Sequence, residues 1–238
     1  MARTLSSLIV FLAAAVSCAQ PDAARTDVMA PPPARPAPVA EPPPTARPRI
    51  VFLGDSLTAG YGLDKDASVP SLIQKRLRDG GYAYEVVNAG VSGDTSAGGL
   101  NRLEWSLEGD VEILVVELGA NDGLRGLPVA NLKRNLAEII TRARARGVKV
   151  VLTGMEAPPN FGAAYTSEFR EVYRALAREH KVTFVPFYLE GVAGIPALNL
   201  GDGMHPNAQG SRIIERTIWS ALEPLLTSPS TVRESATR

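Results

Sequence analysis

The amino-acid sequence predicts an α/β fold: a three-layer α/β/α sandwich built on a five-stranded parallel sheet. Short apolar runs of strand type alternate with longer segments whose apolar residues recur at helical spacing. This alternation favours a parallel sheet, because parallel neighbours need a crossover connection. The predicted strands are residues 50–53, 84–87, 112–118, 148–152 and 182–185.

Each helix is predicted from one stripe of apolar residues at helical spacing. Gly80-Gly81 ends the first of these helices and Gly147 ends the third, while the second is predicted as one continuous segment over residues 95–107. The five stripes, in chain order, are Val69, Leu72, Ile73 and Leu77; Leu100, Leu103 and Leu107; Leu132, Leu136, Ile139, Ile140 and Ala143; Tyr165, Phe169, Val172, Tyr173 and Leu176; and Ile213, Ile214, Thr217, Ile218, Ala221 and Leu225.

Residues 1–18 are predicted to be a secretory signal. Arg3 supplies a basic start, and the apolar run over residues 5–16 is too short to span a bilayer. The only cysteine of the chain, Cys18, follows small residues and resembles the lipidated cysteine of a bacterial lipobox, although Ala15 stands where leucine is usual. We therefore expect an exported protein with a lipid anchor on Cys18. The alternative is ordinary cleavage near Ala19, which would release a soluble protein.

Residues 19–48 are predicted to form a disordered linker. Triple prolines at 31–33 and 42–44 favour extended polyproline II structure, and this composition cannot bury a core. The folded domain is expected over residues 49–226, followed by a flexible polar tail over 227–238. The 25 basic and 25 acidic residues balance, so the chain carries no electrostatic signal for nucleic acid.

Polar clusters follow four of the predicted strands. They are residues 54–56, 88–95, 119–123 and, beyond a long loop, 202–206. Ligands of parallel α/β sheets bind beyond the carboxyl ends of the strands. We therefore expect these clusters to meet at one edge of the sheet and to form one site.

Within this predicted site, Ser56 is a candidate nucleophile. A serine hydroxyl needs an adjacent general base, and the chain contains two histidines. His180 ends an amphipathic helix, where a structural role suffices. His205 lies three residues after Asp202, which could accept the ring Nδ1–H and leave Nε2 free to face Ser56. A turn and a helix cap are the alternative interpretation of Asp202 and His205.

The same edge offers donors for an oxyanion. These are the backbone N–H of Ser56 at a helix start, the backbone N–H of Gly93, and the side-chain amide of Asn121. An Asx-turn is the alternative for Asn121. Three further acids are interpreted as turn and capping residues: Asp55, Asp94 and Asp122.

Four blocks of the sequence resemble those of the SGNH, or GDSL, hydrolases. They are Gly54-Asp55-Ser56-Leu57, Ser92-Gly93-Asp94-Thr95, Gly119-Ala120-Asn121-Asp122 and Asp202-Gly203-Met204-His205-Pro206. The resemblance extends over residues 49–225. It is strongest to the bacterial branch that includes arylesterases and the thioesterase I/lysophospholipase L1 enzymes.

The resemblance implies a flavodoxin-like sheet and a set of site residues. Ser56 would be the nucleophile, with Asp202 and His205 completing a catalytic triad. Ser56, Gly93 and Asn121 would form the oxyanion hole. The resemblance implies neither a metal nor a cofactor.

In thioesterase-like members of the family, the loop that matches residues 123–128 lines the acyl site. The resemblance therefore implies Leu124, Leu127 and Phe161 as candidate contacts with an acyl group. Ordinary loop packing is the alternative for all three.

These observations predict an exported, periplasmic or cell-envelope esterase of the arylesterase or short-chain carboxylesterase type, acting through an acyl-enzyme on a small ester or lipid-like substrate. A lysophospholipase, an acyl-CoA thioesterase and a carbohydrate acetylesterase are the alternatives within the class. A non-catalytic lipoprotein would not need the triad, and a metal-dependent phosphoesterase would need more histidines than two. The oligomeric state stays open.

Overall fold

The structure is a computed structural model that describes residues 47–227. Three predicted segments lie outside the described residues: the signal with Cys18, the linker up to residue 46 and the tail from residue 228. The helices and strands run from Arg49 to Leu225. None of the helices within 47–227 is long and apolar enough to cross a membrane.

Five parallel strands form one sheet, in the order β2-β1-β3-β4-β5. This order is that of flavodoxin-like doubly wound sheets, and the predicted fold class is confirmed. The strands are β1 Arg49–Gly54, β2 Glu85–Gly90, β3 Val111–Glu117, β4 Lys149–Thr153 and β5 Thr183–Val185.

Helices cover both faces of the sheet. The longer ones are α2 Val69–Asp79, α6 Val129–Ala145, α7 Ala163–His180 and α8 Ala208–Leu222, and the short ones are α1 Ser56–Ala59, α3 Ser96–Asn101, α4 Leu103–Ser106 and α5 Ala120–Leu124. Helices α2 and α8 pack together on one face, and α3, α6 and α7 pack together on the other.

The central strands β1 and β3 are the most deeply buried part of the sheet. Residues 50–53 of β1 and 113–116 of β3 are at most 1% exposed. Strands covered by helices on both faces have no solvent side, and this explains why these runs are continuously apolar rather than alternating.

One helix of the sequence prediction was wrong. Residues 95–107 form two short helices, α3 and α4, which are separated at Arg102. The Arg102 side chain turns into the domain and donates hydrogen bonds to the carbonyls of Ala89 and Gly54, at 2.5 and 2.8 Å. Two consecutive glycines in α3 also lower its helix propensity. The predicted inward positions Leu103 and Leu107 are nevertheless buried.

Candidate active site

Ser56 is the first residue of α1, directly after the carboxyl end of β1. The preceding Asp55 caps this helix, because its Oδ1 accepts the backbone N–H of Leu57 at 3.0 Å. Asp55 therefore has the capping role that the sequence indicated for it, and the Ser56 hydroxyl is free for other contacts. The Ser56 N–H is also one of the first N–H groups of a helix, which lack a partner within it.

His205 and Asp202 lie beside Ser56 in the described structure. The His205 Nε2 is 2.9 Å from the Ser56 Oγ, and its Nδ1 is 2.6 Å from the Asp202 Oδ2. A carboxylate can only accept, so Nδ1 carries the proton and Nε2 is left as the acceptor for the serine O–H. The three residues that the sequence predicted as a triad form one continuous hydrogen-bonded chain.

The loop that carries this pair folds around Asp202. Its Oδ1 accepts the backbone N–H groups of Met204 and His205, at 2.9 and 3.0 Å. These two bonds, followed by the bond from the His205 ring, lower the pKa of Asp202 from 3.8 to about 2. Asp202 is thus a carboxylate at neutral and mildly acidic pH.

Tyr61 is a contact that sequence reasoning missed. Its ring packs against the His205 ring, with centroids 4.5 Å apart and planes tilted by 38°. The tyrosine is half-exposed and follows α1 in a Gly-Tyr-Gly turn, where no apolar periodicity could mark it. Its position next to the imidazole follows from the tertiary structure alone.

Asn121 is the second residue of α5, which follows the turn after β3. Its Nδ2 donates one hydrogen bond to the Asp55 Oδ2 at 3.1 Å. The amide nitrogen has a second N–H, and Asn121 lines the same cavity as Ser56. One amide proton is therefore held by the protein while the other remains for a ligand.

Gly93 also lines this cavity, and its backbone has a φ of 83°. The Arg125 guanidinium donates a 2.8 Å hydrogen bond to the Gly93 carbonyl, which holds the peptide in place. The three predicted donors, Ser56, Gly93 and Asn121, thus border one cavity. Their role as oxyanion donors remains a prediction.

The cavity beside Ser56 has a volume of about 660 Å³. Its wall is mostly apolar and includes Leu57, Tyr61, Leu124, Met155, Ala157, Pro158, Pro159, Phe187, Leu189 and Met204. This volume is within the usual range for small-molecule sites, which is roughly 300–1,000 Å³.

Of the three predicted acyl contacts, only Leu124 lies in the wall of this cavity. Phe161 packs against Gly126, where an added Cβ would be 2.5 Å from its ring, and against the Tyr165 ring. Leu127 is partly buried, and its carbonyl accepts the Tyr165 hydroxyl. Phe161 thus makes the packing contacts that were the alternative interpretation, while the acyl contacts of all three residues stay predictions.

The other acids of this edge have structural partners. Asp122 accepts the backbone N–H and the hydroxyl of Ser96, and Asp94 pairs with Arg102. His180 ends α7, as the sequence predicted, and is not among the residues that line the cavity. Residues 47–227 contain no group of three or more histidine, cysteine or acidic side chains placed to hold a metal ion.

Glu117 is a buried acidic residue beside the site that sequence reasoning missed. It ends β3, is fully buried and accepts a 2.8 Å hydrogen bond from the Thr58 hydroxyl. One signal could have found it. The predicted strand 112–118 has no solvent face in a covered parallel sheet, so an acid near its end must be buried.

A doubly wound sheet with a serine, a histidine and an aspartate connected at its carboxyl edge is typical of serine hydrolases. Comparison with known proteins agrees with this class. The family model described as GDSL-like Lipase/Acylhydrolase matches residues 52–213.

Three characterised relatives align over most of the chain. Esterase TesA of Pseudomonas aeruginosa is 47% identical over 178 residues, 74% of this chain and 89% of that protein. The arylesterase of Vibrio mimicus is 38% identical over 162 residues, 68% and 81% of the two chains. Thioesterase 1/protease 1/lysophospholipase L1 of Escherichia coli K12 is 35% identical over 182 residues, 76% and 86%.

A crystal structure of TesA superposes with a TM-score of 0.72 at 47% identity, covering 75% of this chain and 99% of that one. The chain therefore belongs to the GDSL-like lipase/acylhydrolase family, the SGNH hydrolases, as the four sequence blocks indicated. It is an enzyme that acts on ester bonds.

Proposed function

We propose that this enzyme hydrolyses carboxylic esters through an acyl-enzyme formed on Ser56. The observation that carries the proposal is the unbroken chain from Asp202 through His205 to the Ser56 Oγ, with distances of 2.6 and 2.9 Å. This chain borders a largely apolar cavity that also contains the Asn121 amide and Gly93.

In the acylation step, the His205 Nε2 takes the Ser56 proton while the Oγ attacks the ester carbonyl carbon. The carbonyl oxygen becomes an oxyanion, which accepts hydrogen bonds from the Ser56 and Gly93 backbone N–H groups and the free Asn121 N–H. The imidazolium then gives its proton to the departing alcohol.

In the deacylation step, His205 takes a proton from water, and the resulting hydroxide attacks the acyl carbon. The intermediate then collapses, the proton returns to the Ser56 Oγ, and the acid leaves. Asp202 stays ionised throughout, because its pKa lies near 2, and it stabilises each imidazolium.

Mutation of Ser56 tests this proposal. Ser56→Ala should abolish hydrolysis of p-nitrophenyl butyrate and labelling by a fluorophosphonate probe, while the circular dichroism spectrum stays unchanged. Ser220→Ala, on the exposed side of α8, is the matched control and should keep both activities. Residual hydrolysis by Ser56→Ala at the level of the wild type would refute the acyl-enzyme.

The substrates we propose are aryl esters and short-chain carboxylic esters, in line with the names esterase and arylesterase of the relatives. One observation favours a second candidate, the hydrolysis of longer acyl esters or thioesters. A mainly apolar cavity of about 660 Å³ is larger than an acetyl group requires. This apolar wall also argues against a carbohydrate acetylesterase. A series of p-nitrophenyl esters and acyl-CoA thioesters separates the candidates, since activity that peaks at acetyl contradicts the second.

We also propose that the enzyme is exported and attached to the cell envelope through a lipid on Cys18. The sequence of the first 18 residues supports this proposal. Metabolic labelling with a palmitate analogue tests it. Cys18→Ala should abolish labelling and move the enzyme to the soluble fraction, and an unlabelled wild-type protein would contradict the lipid anchor.

A further inference from the structure

Two buried acids, Asp55 and Glu117, lie directly behind the nucleophile. Both are 0% exposed. They meet because β1 and β3 are parallel neighbours, with Gly54 in register with Glu117. Gly54 makes room for this contact, since a Cβ there would be 2.7 Å from the Glu117 Oε2 and 2.0 Å from the Thr58 Oγ1.

The hydrogen bonds of Glu117 indicate a neutral carboxylic acid. Its Oε2 accepts the Thr58 hydroxyl at 2.8 Å and the Asp55 backbone N–H at 3.3 Å, while its Oε1 is buried without a donor. A charge on this group would be costly, because its Oε1 has neither water nor a donor and no described cation pairs with it, whereas the neutral form avoids that cost. Burial, and then the charge of Asp55, raise the pKa of Glu117 well above its usual value.

Asp55 is the member of the pair that accepts hydrogen bonds on both oxygens. Its Oδ1 accepts the Leu57 N–H at 3.0 Å and its Oδ2 accepts the Asn121 Nδ2 at 3.1 Å. Burial raises the pKa of Asp55 to about 6, against the lowering effect of these two bonds and of the charge of His205. Asp55 is therefore charged above about pH 6.

The contact between Asp55 and Asn121 determines which end of the amide faces the cavity. A carboxylate has no proton to donate, so only the NH₂ end of Asn121 can bind it. The carbonyl end is directed away, and the second N–H remains for the substrate. The opposite orientation would present a carbonyl oxygen to a developing oxyanion and would repel it.

Few other titratable groups face the pair within the described chain. His205 lies on the open side and lowers the pKa of Asp55, and the neutral hydroxyls of Tyr173 and Tyr188 lie on the buried side. The Arg102 guanidinium binds the Gly54 carbonyl at 2.8 Å. No described contact joins this cation to either acid, and the negative charge is held by amide and hydroxyl donors.

We propose that Asp55 and Glu117 are positioning residues of the reaction: Asp55, as a carboxylate, orients the Asn121 amide toward the substrate oxygen, and Glu117, as a neutral acid, holds Asp55. This inference rests on the proposed function, in which Asn121 is an oxyanion donor. It assigns to Asp55 a role beyond the capping that sequence reasoning considered sufficient.

Asp55→Asn tests the orienting role. Asparagine is as good a helix cap as aspartate, but it offers one acceptor oxygen instead of two. We expect kcat for p-nitrophenyl butyrate to fall by about 10²-fold with KM nearly unchanged, because the lost interaction belongs to the transition state. Asn121→Ala should lower kcat by about 10²–10³-fold. The double variant should be no slower than Asn121→Ala alone, because both changes remove one interaction.

Glu117→Gln tests the protonation state independently. Glutamine is neutral and keeps an oxygen that can accept the Thr58 hydroxyl and the Asp55 backbone N–H, so kcat should stay within about threefold of the wild type. Glu215→Gln, a buried acid that pairs with Arg76 on α2, is the matched control for loss of a buried carboxyl and should leave kcat unchanged.

Three outcomes would overturn the inference, and they are distinguishable. If the losses of Asp55→Asn and Asn121→Ala multiply, Asp55 does not act through Asn121. If Glu117→Gln is as slow as Asp55→Asn, the reaction needs a charged Glu117. If Asn121→Ala itself changes kcat by less than about threefold, the oxyanion assignment of the proposed function fails, and the inference fails with it.

Discussion

Two aspartates contact the machinery around Ser56, and their surroundings are opposite. Asp202 lies in a loop, where two backbone N–H groups and the His205 ring lower its pKa to about 2. Asp55 lies at the end of the central strand β1, where burial raises its pKa to about 6. The same side chain is a permanent carboxylate in one place and an acid that titrates near neutrality in the other.

The site therefore has an exposed half, Asp202 with His205, and a buried half, Asp55 with Asn121. The charge of the aspartate is stabilised differently in each half. Direct hydrogen bonds from the loop backbone stabilise Asp202, which must face the imidazolium that forms in catalysis. Asp55 has donors too, but desolvation outweighs them, and its charge in turn helps to raise the pKa of Glu117 beside it. The exposed half should therefore be insensitive to mild acid, and the buried half sensitive to it.

The largest expected effect is in the exposed half. Asp202→Asn should lower kcat for p-nitrophenyl butyrate by about 10³–10⁴-fold, because an amide favours the wrong tautomer of His205 and cannot stabilise the imidazolium. Steady-state kinetics at pH 8 measure this loss. A decrease smaller than that of Asp55→Asn would reverse the order of importance that we assign to the two aspartates.

The second expected effect concerns stability and has opposite signs at the two aspartates. Asp55 binds its proton more tightly in the native state than in the unfolded state. Its contribution to the free energy of unfolding is therefore fully present below about pH 3.8 and is lost as the pH rises through about 6. At about 1.4 kcal/mol per unit, this loss is on the order of 3 kcal/mol. Asp202 has a lowered pKa, and its contribution is present above about pH 3.8 and lost as the pH falls through 2.

Urea unfolding at pH 4, 5, 6 and 7 measures this difference. Asp55→Asn should become more stable relative to the wild type as the pH rises from 4 to 6, whatever its stability at pH 4. Asp202→Asn should show no such trend between pH 5 and 7. If the free energies of unfolding of the wild type and Asp55→Asn change with pH in parallel, the raised pKa of the buried aspartate is contradicted.

The smallest expected effect is at Tyr61, which supports the exposed half by packing against His205. Aromatic pairs contribute about 0.5–1.5 kcal/mol, so Tyr61→Ala should lower kcat by about 2–12-fold. Tyr61→Phe keeps the ring and is the matched control. Equal losses in both variants would show that the hydroxyl, rather than the ring contact, is what matters.

Much of the fold followed from local patterns in the sequence. Residues 50–53 and 113–116 are continuously apolar because helices cover both faces of the sheet, and this pattern marked them as strands. The helix predicted over 95–107 failed for a long-range reason, since Arg102 turns inward to carbonyls of two strand ends. No local propensity carries that information.

The residues of the candidate site, too, could be predicted from the sequence only in part. Ser56 and His205 are 149 residues apart, yet both were predicted because each belongs to a polar cluster expected at the carboxyl edge of a parallel sheet. Leu127 and Phe161 were predicted from a loop of the family, but neither lines the cavity, and the Phe161 ring packs against Gly126 and the Tyr165 ring. A resemblance names a segment, but side-chain packing selects which of its residues reach the cavity.

By itself, the sequence determined the order of strands and helices, the edge at which chemistry gathers and the residue types available there, because these depend on periodicity and on chain direction. The tertiary structure alone decided the charge of each group. Asp55 and Asp202 are the same residue type in similar turns, and Glu117 stands in a strand like any other. Only the packing shows which carboxyls lose water and which gain hydrogen-bond donors.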